Sequence, residues 1–215
     1  MKYFIANWKA NKNLDEANQW IEKYLSLPVT DQQYIVIICP PYPLLYPLKE
    51  KIKNRKNIYL GSQDLSIFEA GTYTGEVTAK SLSGLIDYSI IGHSERRKYF
   101  NESEESLFQK VHLAKKYNIK PIYCVRDEND KIPNLVQIVA YEPVYAIGSG
   151  SNEPVERVLE MKQKIHFPNE SFFLYGGSVN KDNARTYLES PQIDGFLIGG
   201  TSLNPIEFHK IIVAA

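Results

Sequence analysis

The sequence predicts an α/β fold in which eight parallel strands close into a barrel surrounded by helices. Eight short runs of β-branched and aromatic residues recur along the 215 residues, and several are apolar almost throughout, as in Ile35-Val36-Ile37-Ile38. Such runs are typical of parallel strands that are buried on both faces. Helical patterns lie between most of them, which indicates a parallel sheet. With eight strands, a closed (β/α)8 barrel is favoured over an open sheet.

The predicted strands follow the apolar runs, and the predicted helices follow apolar spacing and end signals. The strands are Tyr3–Ala6, Tyr34–Cys39, Ile58–Gly61, Tyr88–Gly92, Lys120–Val125, Gln137–Tyr141, Phe172–Tyr175 and Gly195–Ile198. A helix is predicted over Asn13–Leu25, where Asn13 and Glu16 have the spacing of a capping box. The other helix signals are the face of Leu107, Val111 and Ala114, ending near Asn118; the face of Val155, Leu159, Lys162 and Ile165, opened by Asn152 and Pro154; and the start Asn204-Pro205-Ile206-Glu207.

The interval between the fifth and sixth strands breaks this rhythm. Only ten residues lie between Val125 and Val136, and they include acidic and amide residues in a row and a proline. A parallel crossover with its helix needs roughly ten to twelve residues at the least. We therefore expect a loop or one distorted turn, with the crossover helix shortened or missing. The strands beside it should then show either an exposed apolar strip or a site for a partner chain.

Composition excludes several classes of function. Lys and Arg number 25 and Asp and Glu also number 25, so the net charge is zero, which argues against a nucleic-acid or anionic-membrane partner bound by bulk charge. No apolar run approaches the ~18 residues of a membrane span. Two cysteines cannot build a disulfide framework or a four-ligand zinc site. The carboxylates and histidines lack metal-ligand spacing and no dinucleotide fingerprint occurs, so we expect no metal or cofactor. The expectation is one domain over residues 1–215, located in the cytoplasm.

The residues that follow the predicted strands carry the chemistry, because functional groups of such barrels lie at the carboxyl ends of the strands. Lys9 follows the first strand, although a solvated lysine is equally consistent with that position. His93 follows the fourth strand at the start of a short helix, whose positive end favours a neutral imidazole; a purely capping histidine is the alternative. Glu142 closes the sixth strand before Pro143, where poor solvation should raise its pKa toward that of a useful base.

Glycine-rich turns follow the last three strands. Residues 143–153 contain Ala146-Ile147-Gly148-Ser149-Gly150, which suits a lid whose isoleucine excludes water. Gly176-Gly177-Ser178 and Gly199-Gly200-Thr201 follow the seventh and eighth strands, the usual place of a barrel phosphate site. Together these groups suit proton transfer next to a carbonyl in a small phosphorylated substrate.

With these motifs the chain resembles the triosephosphate isomerase family, whose fold is the TIM barrel. The matching strings are Asn7-Trp8-Lys9, Tyr73-Thr74-Gly75-Glu76, Ile91-Gly92-His93-Ser94-Glu95-Arg96-Arg97, Tyr141-Glu142-Pro143-Val144, Ala146-Ile147-Gly148, Tyr175-Gly176-Gly177-Ser178-Val179 and Asp194-Gly195-Phe196-Leu197-Ile198-Gly199-Gly200. They occur in family order from one end of the chain to the other, and their combination is highly specific.

The resemblance implies interconversion of dihydroxyacetone phosphate and D-glyceraldehyde 3-phosphate through an enediolate, in glycolysis and gluconeogenesis. It implies Glu142 as base, His93 as neutral electrophile, Lys9 as electrostatic stabiliser and Asn7 as a residue that positions substrate oxygens. The remaining implied residues are the backbone N–H groups of Gly148, Ser178, Gly199 and Gly200 around the phosphate, and Ser94 and Glu95 behind His93 and Lys9. A homodimer is implied through the Ser66–Glu76 loop, with Thr74 reaching toward the partner.

The chain also departs from the family pattern. Tyr145 stands where the lid usually has Trp, Ser149 where it has Thr, and Ser151-Asn152-Glu153 replaces the usual far hinge. After the fifth strand, Arg126 and Asp127 stand where the family has Gly and Glu. Two rivals therefore stay open: another phosphosugar isomerase, epimerase or synthase on the same fold, and a barrel kept as a scaffold or binding module.

Overall fold

A closed, all-parallel barrel forms the centre of the molecule, in a computed structural model that describes residues 1–28, 34–143, 152–168 and 170–214. Its strands pair in chain order and the last lies beside the first. They are β1 (Lys2–Asn7), β2 (Tyr34–Cys39), β3 (Ile58–Ser62), β4 (Tyr88–Ile91), β5 (Lys120–Val125), β6 (Ile138–Tyr141), β7 (Phe172–Tyr175) and β8 (Gly195–Ile198). The predicted closed barrel is confirmed, and no strand end differs from its prediction by more than one residue.

Helices pack around the outside of the barrel. Within the described ranges they are α1 (Leu14–Leu25), α2 (Leu45–Ile52), α3 (Ala79–Leu82), α4 (Ser94–Tyr99), α5 (Glu104–Lys116), α6 (Val155–Lys164), α7 (Ala184–Leu188) and α8 (Pro205–Val213), with 3-10 turns at Tyr42–Leu44 and Gly200–Leu203. The predicted capping box of α1 is confirmed, because Asn13 Oδ1 accepts from the Glu16 N–H and Glu16 accepts from the Asn13 N–H. The α8 cap is confirmed as well, with Asn204 accepting from two backbone N–H groups.

Side chains alternate between the barrel interior and the layer beneath the helices. The interior cluster consists of Tyr3, Ile5, Ile37, Cys39, Tyr88, Ile90, Ile122, Cys124, Ile138, Ala140, Leu174 and Leu197. Gly195, at φ +144°, lets β8 approach β1, since a Cβ there would lie 1.9 Å from the Tyr3 carbonyl oxygen. Closure at this point brings the carboxyl ends of all eight strands to one rim.

Residues 126–137 form turns and bends between β5 and β6, and no helix is present in this fully described connection. The expectation of an exposed apolar strip is wrong, because the outward-facing Tyr123, Val125, Val139 and Tyr141 are each at most 2% exposed. The connection folds back over them: the Tyr123 hydroxyl donates to the Lys131 carbonyl at 3.1 Å. A partner chain at this face stays a prediction. In the described part of the chain, no helix has the length and apolar character needed to cross a membrane.

Candidate active site

A cavity of about 230 Å³ opens at the carboxyl rim of the barrel. This volume is below the ~300 Å³ lower end for drug-sized ligands, so the cavity suits a small molecule. Seven of the predicted site residues line it: Asn7, Lys9, His93, Glu142, Ser178, Gly199 and Gly200. Gly148, and with it most of the predicted lid, lies outside the described residues. Gly176, Gly177 and Thr201 of the two predicted glycine turns also line the cavity. The lining residues that sequence reasoning did not assign to the site are Val179, Asn180, Leu197 and Ile198.

A buried imidazole and a buried carboxylate meet in this cavity. His93 Nε2 lies 2.9 Å from Glu142 Oε1, and the two side chains are 7% and 1% exposed. The backbone N–H of Ser94 donates to Glu142 Oε2 at 2.8 Å. The thiol of Cys124, on the neighbouring strand β5, also contacts the Glu142 carboxylate. The end of β4 and the start of α4 thus hold a carboxylate that comes from the end of β6.

The pKa of Glu142 is lowered, so the expected rise is wrong for this structure. Burial alone would raise the pKa of this carboxyl group, but His93 and the Ser94 N–H stabilise its charged form more strongly. The sequence reveals the burial, because Glu142 closes an apolar run. It does not reveal that an imidazole 49 positions earlier is the partner.

His93 shows the converse shift: its pKa is raised, so the expectation that the positive end of α4 favours the neutral imidazole is wrong for this structure. Burial disfavours the charged imidazole, but the charge of Glu142 and the hydrogen bond to it raise the pKa of His93. Nδ1 accepts the Glu95 N–H at 3.2 Å, so the histidine caps α4 and also faces the cavity. Because Nδ1 is an acceptor, the neutral form of this imidazole carries its proton on Nε2, toward Glu142.

Lys9 is held at both its backbone and its ammonium group. Its φ of +51° lies in the left-handed region, a strained conformation for a residue with a side chain. The Gln63 side-chain amide donates to its carbonyl at 2.8 Å, and its own N–H donates to Asn7 Oδ1 at 3.1 Å. The ammonium group lies 2.6 Å from Glu95 Oε1. A Cβ on Gly199 would meet the Lys9 side chain at 3.3 Å, so the lysine stem lies beside the last glycine turn.

The two Gly-Gly turns form one wall of the cavity. A Cβ on Gly176 would lie 2.9 Å from Glu142 Cγ, so this glycine leaves the space that the carboxylate occupies. Thr201 Oγ1 donates to the Val179 carbonyl at 2.9 Å and thereby joins the turn after β8 to the turn after β7. Gly199 caps the 3-10 turn Gly200–Leu203, whose N-terminal end faces the same wall.

The fold and the cavity define an enzyme of the (β/α)8-barrel class with a carboxylate, an imidazole and an ammonium group at the rim. A sequence model of the triosephosphate isomerase family matches residues 2–134 and 128–215. The triosephosphate isomerases of Clostridium beijerinckii, Mesomycoplasma hyopneumoniae and Dictyoglomus thermophilum are 34%, 34% and 33% identical, over 96%, 99% and 98% of this chain and 96%, 98% and 98% of their own lengths. The chain belongs to the triosephosphate isomerase family.

The comparisons also show where this member differs in length. The three alignments span 242, 241 and 245 positions, more than the 215 residues of the chain, so these relatives carry residues that it lacks. The family match breaks into two segments that meet at residues 128–134. This break lies in the connection between β5 and β6, the same interval that the sequence marks as short.

Proposed function

We propose that this protein interconverts dihydroxyacetone phosphate and D-glyceraldehyde 3-phosphate through an enediolate, in the cytoplasm. The 2.9 Å contact between His93 and Glu142 in a small cavity walled by glycine turns is the observation that carries this proposal. A base and a hydrogen-bond donor that face the same small cavity can act at the same time on a C–H bond and on the neighbouring carbonyl oxygen of one substrate.

Glu142 is the proposed base. It removes a proton from one carbon of the bound triose, and the enediolate then receives the proton back on the neighbouring carbon. To reach the substrate, the carboxylate leaves the Ser94 N–H and the imidazole, and a substrate oxygen takes its place at His93 Nε2. Family membership supports this role, and so does the burial of Glu142 at 1% exposure. Once the carboxylate has left the imidazole and the Ser94 N–H, which lower its pKa, burial makes it the stronger base.

His93 is the proposed neutral electrophile. The charge of Glu142 is what raises the pKa of the imidazole, against the effect of burial. When Glu142 takes up the carbon-bound proton, that charge disappears and burial favours the neutral ring. The Nε2–H then donates to the oxygen that gains negative charge, while the Glu95 N–H keeps Nδ1 an acceptor.

Lys9 and Asn7 are proposed to stabilise and position the substrate oxygens. The ammonium group of Lys9 lies at the cavity wall and is oriented by Glu95. Removing one such preorganised donor costs about 3–4 kcal/mol of transition-state stabilisation in comparable sites. Asn7 is 5% exposed and its side-chain oxygen accepts the Lys9 N–H, so its amide group is already held in place before the substrate binds.

The phosphate is proposed to bind to backbone N–H groups of Ser178, Gly199, Gly200 and Gly148. Support comes from the 3-10 turn after Gly199, since the N-terminal end of such a turn attracts an anion. We further propose that residues 143–153 close over the site and exclude water. The described far end of this segment is tied down, since the Glu153 N–H donates to the Tyr175 hydroxyl at 2.9 Å.

A homodimer through the Ser66–Glu76 loop, with Thr74 near the partner's active site, belongs to the same proposal. Exposed aromatic side chains lie in and beside this loop: Tyr73 is 42% and Phe100 is 65% exposed. Ile67 and Phe100 border one cavity of about 450 Å³ between the loop and the end of α4. Exposed apolar surface of this kind is typical of a protein–protein interface.

A substrate panel tests the proposed function against its rivals. The purified chain is assayed with dihydroxyacetone phosphate, D-glyceraldehyde 3-phosphate and a pentose phosphate, with the reaction followed in D2O to detect exchange at carbon. We expect isomerisation of the trioses only, with solvent deuterium incorporated at the reacting carbon. Turnover of the pentose phosphate alone would favour another phosphosugar enzyme, and no turnover at all would favour a binding module.

A further inference from the structure

Asp130 lies in the short connection between β5 and β6, and its carboxylate is nearly buried and makes several hydrogen bonds. Its side chain is 6% exposed. Oδ2 accepts the Arg126 backbone N–H at 2.7 Å and the Arg126 Nε–H at 3.0 Å, and Oδ1 accepts from Arg126 Nη2 at 2.6 Å. These bonds close the turn and point the carboxylate inward, where Arg97 Nη1 lies 3.6 Å from Oδ1.

Arg97 connects this carboxylate to the active-site turn. Its side chain is 8% exposed. Nε donates to the Gly92 carbonyl at 2.8 Å, and Nη2 donates to the Cys124 carbonyl at 2.9 Å. A Cβ on Gly92 would lie 3.0 Å from Arg97 Nη2, so the guanidinium packs directly on the residue that precedes His93. Cys124 in turn contacts Glu142 through its thiol.

The guanidinium therefore has a carboxylate on one edge and two carbonyls of the active-site framework on the others. Because its five N–H donors are fixed in one plane, orienting one edge orients the rest. Glu102, another nearby acid, binds Arg96 and Lys110 instead. Within the described residues, Asp130 is the carboxylate in ion-pair contact with Arg97.

We propose that Asp130 is a positioning residue for the His93–Glu142 pair and acts through Arg97. This inference rests on the proposed function for its catalytic consequence, but the positioning itself is a property of the folded protein. Loss of the Asp130 charge leaves a nearly buried guanidinium without its counter-ion, and the guanidinium then shifts toward solvent. The Gly92 and Cys124 carbonyls lose their donor, and the imidazole and the carboxylate lose their fixed relation.

The test compares Asp130→Asn with Asp127→Asn, which makes the same change of charge in the same connection. Asp127 Oδ1 accepts only the Asn129 N–H among the hydrogen bonds described for it, so it serves as a matched control. We expect D130N to lower kcat for triose isomerisation about 10- to 100-fold, as small misplacements of catalytic groups do. KM should change less than about twofold because the phosphate turns are untouched, and D127N should match the parent.

A second readout is independent of activity. At a pH above the raised pKa of His93, where the ring is neutral, the imidazole 15N spectrum of the parent should show the Nε2-protonated tautomer alone. D130N should show a mixture of tautomers, and D127N should keep the spectrum of the parent. Either a kcat for D130N within twofold of D127N, or a lowered kcat with an unchanged His93 spectrum, overturns the inference. If the parent itself does not isomerise trioses, the proposed function fails, and the spectrum still decides the positioning.

If D130N does not fold, Arg97→Lys takes its place under the same two readouts. Lysine keeps the positive charge for Asp130 but cannot reach the Gly92 and Cys124 carbonyls together. We expect R97K to lower kcat and to alter the His93 spectrum as D130N would. An R97K enzyme with the kcat and the spectrum of the parent contradicts the inference.

Discussion

His93 has two hydrogen-bond partners, and they affect the protonation of its ring differently. The Glu95 N–H keeps Nδ1 an acceptor, and Glu142 draws the proton to Nε2 and favours a second proton on the ring. The pKa of His93 is therefore raised while that of Glu142 is lowered. At the scale of single residues, the protonation of this pair is one shared property, and removing either member changes the other.

This coupling predicts how stability depends on pH. The folded pKa of His93 lies above its ordinary value of 6.5, so its contribution is complete below that pH and is lost as pH rises through the folded pKa. The folded pKa of Glu142 lies below 4.5, so its contribution is present above that pH and is lost as pH falls through the folded pKa. The pair thus stabilises the fold most between these two values.

The measurement is an NMR titration of His93 in the parent and in Glu142→Gln. Without the carboxylate, burial is the main influence on the ring, and we expect the titration midpoint of His93 to fall. The ring signals of His112 on α5, which lies outside the cavity, should have the same chemical shifts in both proteins at each pH. An unchanged His93 midpoint in E142Q would show that the two groups are not coupled.

Among the elements, the far end of the proposed lid is anchored by two stacked tyrosines. The rings of Tyr175 on β7 and Tyr187 on α7 have centroids 4.6 Å apart. The Tyr187 hydroxyl donates to the Glu153 carbonyl and accepts from Asn152 Nδ2 at 3.0 Å. Tyr187 is 1% exposed, so these bonds are shielded from water.

Tyr187→Phe should therefore destabilise the protein. It leaves the Glu153 carbonyl without its donor in a buried place, at a cost of about 1–3 kcal/mol in the free energy of unfolding. Tyr24→Phe is the control. The Tyr24 ring is also buried, but within the described residues its hydroxyl forms no hydrogen bond. Urea unfolding of both variants is the measurement, and equal midpoints for Y187F and the parent would contradict the anchoring role.

The strands and capped helices were predictable because their signals are local. Apolar runs such as Ile35–Ile38 mark buried parallel strands, and Asn13 with Glu16 marks a helix start within four residues. Seven of the predicted site residues line one cavity, and the sequence could suggest them because strand ends and glycine turns can be read along the chain. What failed depended on contacts that no local sequence signal encodes. The lowered pKa of Glu142 comes from another strand end, and the burial of Tyr123 comes from a connection that folds back over it.

At the scale of the whole molecule, barrel closure is what makes a site from separate turns. Parallel pairing from β1 to β8 and back to β1 puts every strand end on one rim. The imidazole, the carboxylate and the ammonium group come from the ends of β4, β6 and β1, which a closed ring brings to face one cavity. An open sheet would leave these groups in a row.

Assembly is the second property at this scale. The exposed aromatic residues near the Ser66–Glu76 loop predict a dimer, with a solution mass about twice the 24.7 kDa of one chain. Tyr73→Ser should shift light-scattering or sedimentation values toward the single-chain mass, because it removes apolar contact from the loop. A parent protein with the mass of one chain at micromolar concentration would contradict the proposed homodimer.

The role of Glu142 as base is tested most directly by the kcat of Glu142→Gln for triose isomerisation. Glutamine keeps the shape of the side chain but cannot take the proton, and its amide can accept only one of the two hydrogen bonds that the carboxylate accepts. Glu128→Gln in the exposed connection is the control for the same chemical change. We predict that E142Q lowers kcat by at least ~10²-fold while E128Q matches the parent. A general base usually contributes at least ~10²-fold to the rate, so a kcat for E142Q within about threefold of the parent would contradict the assignment.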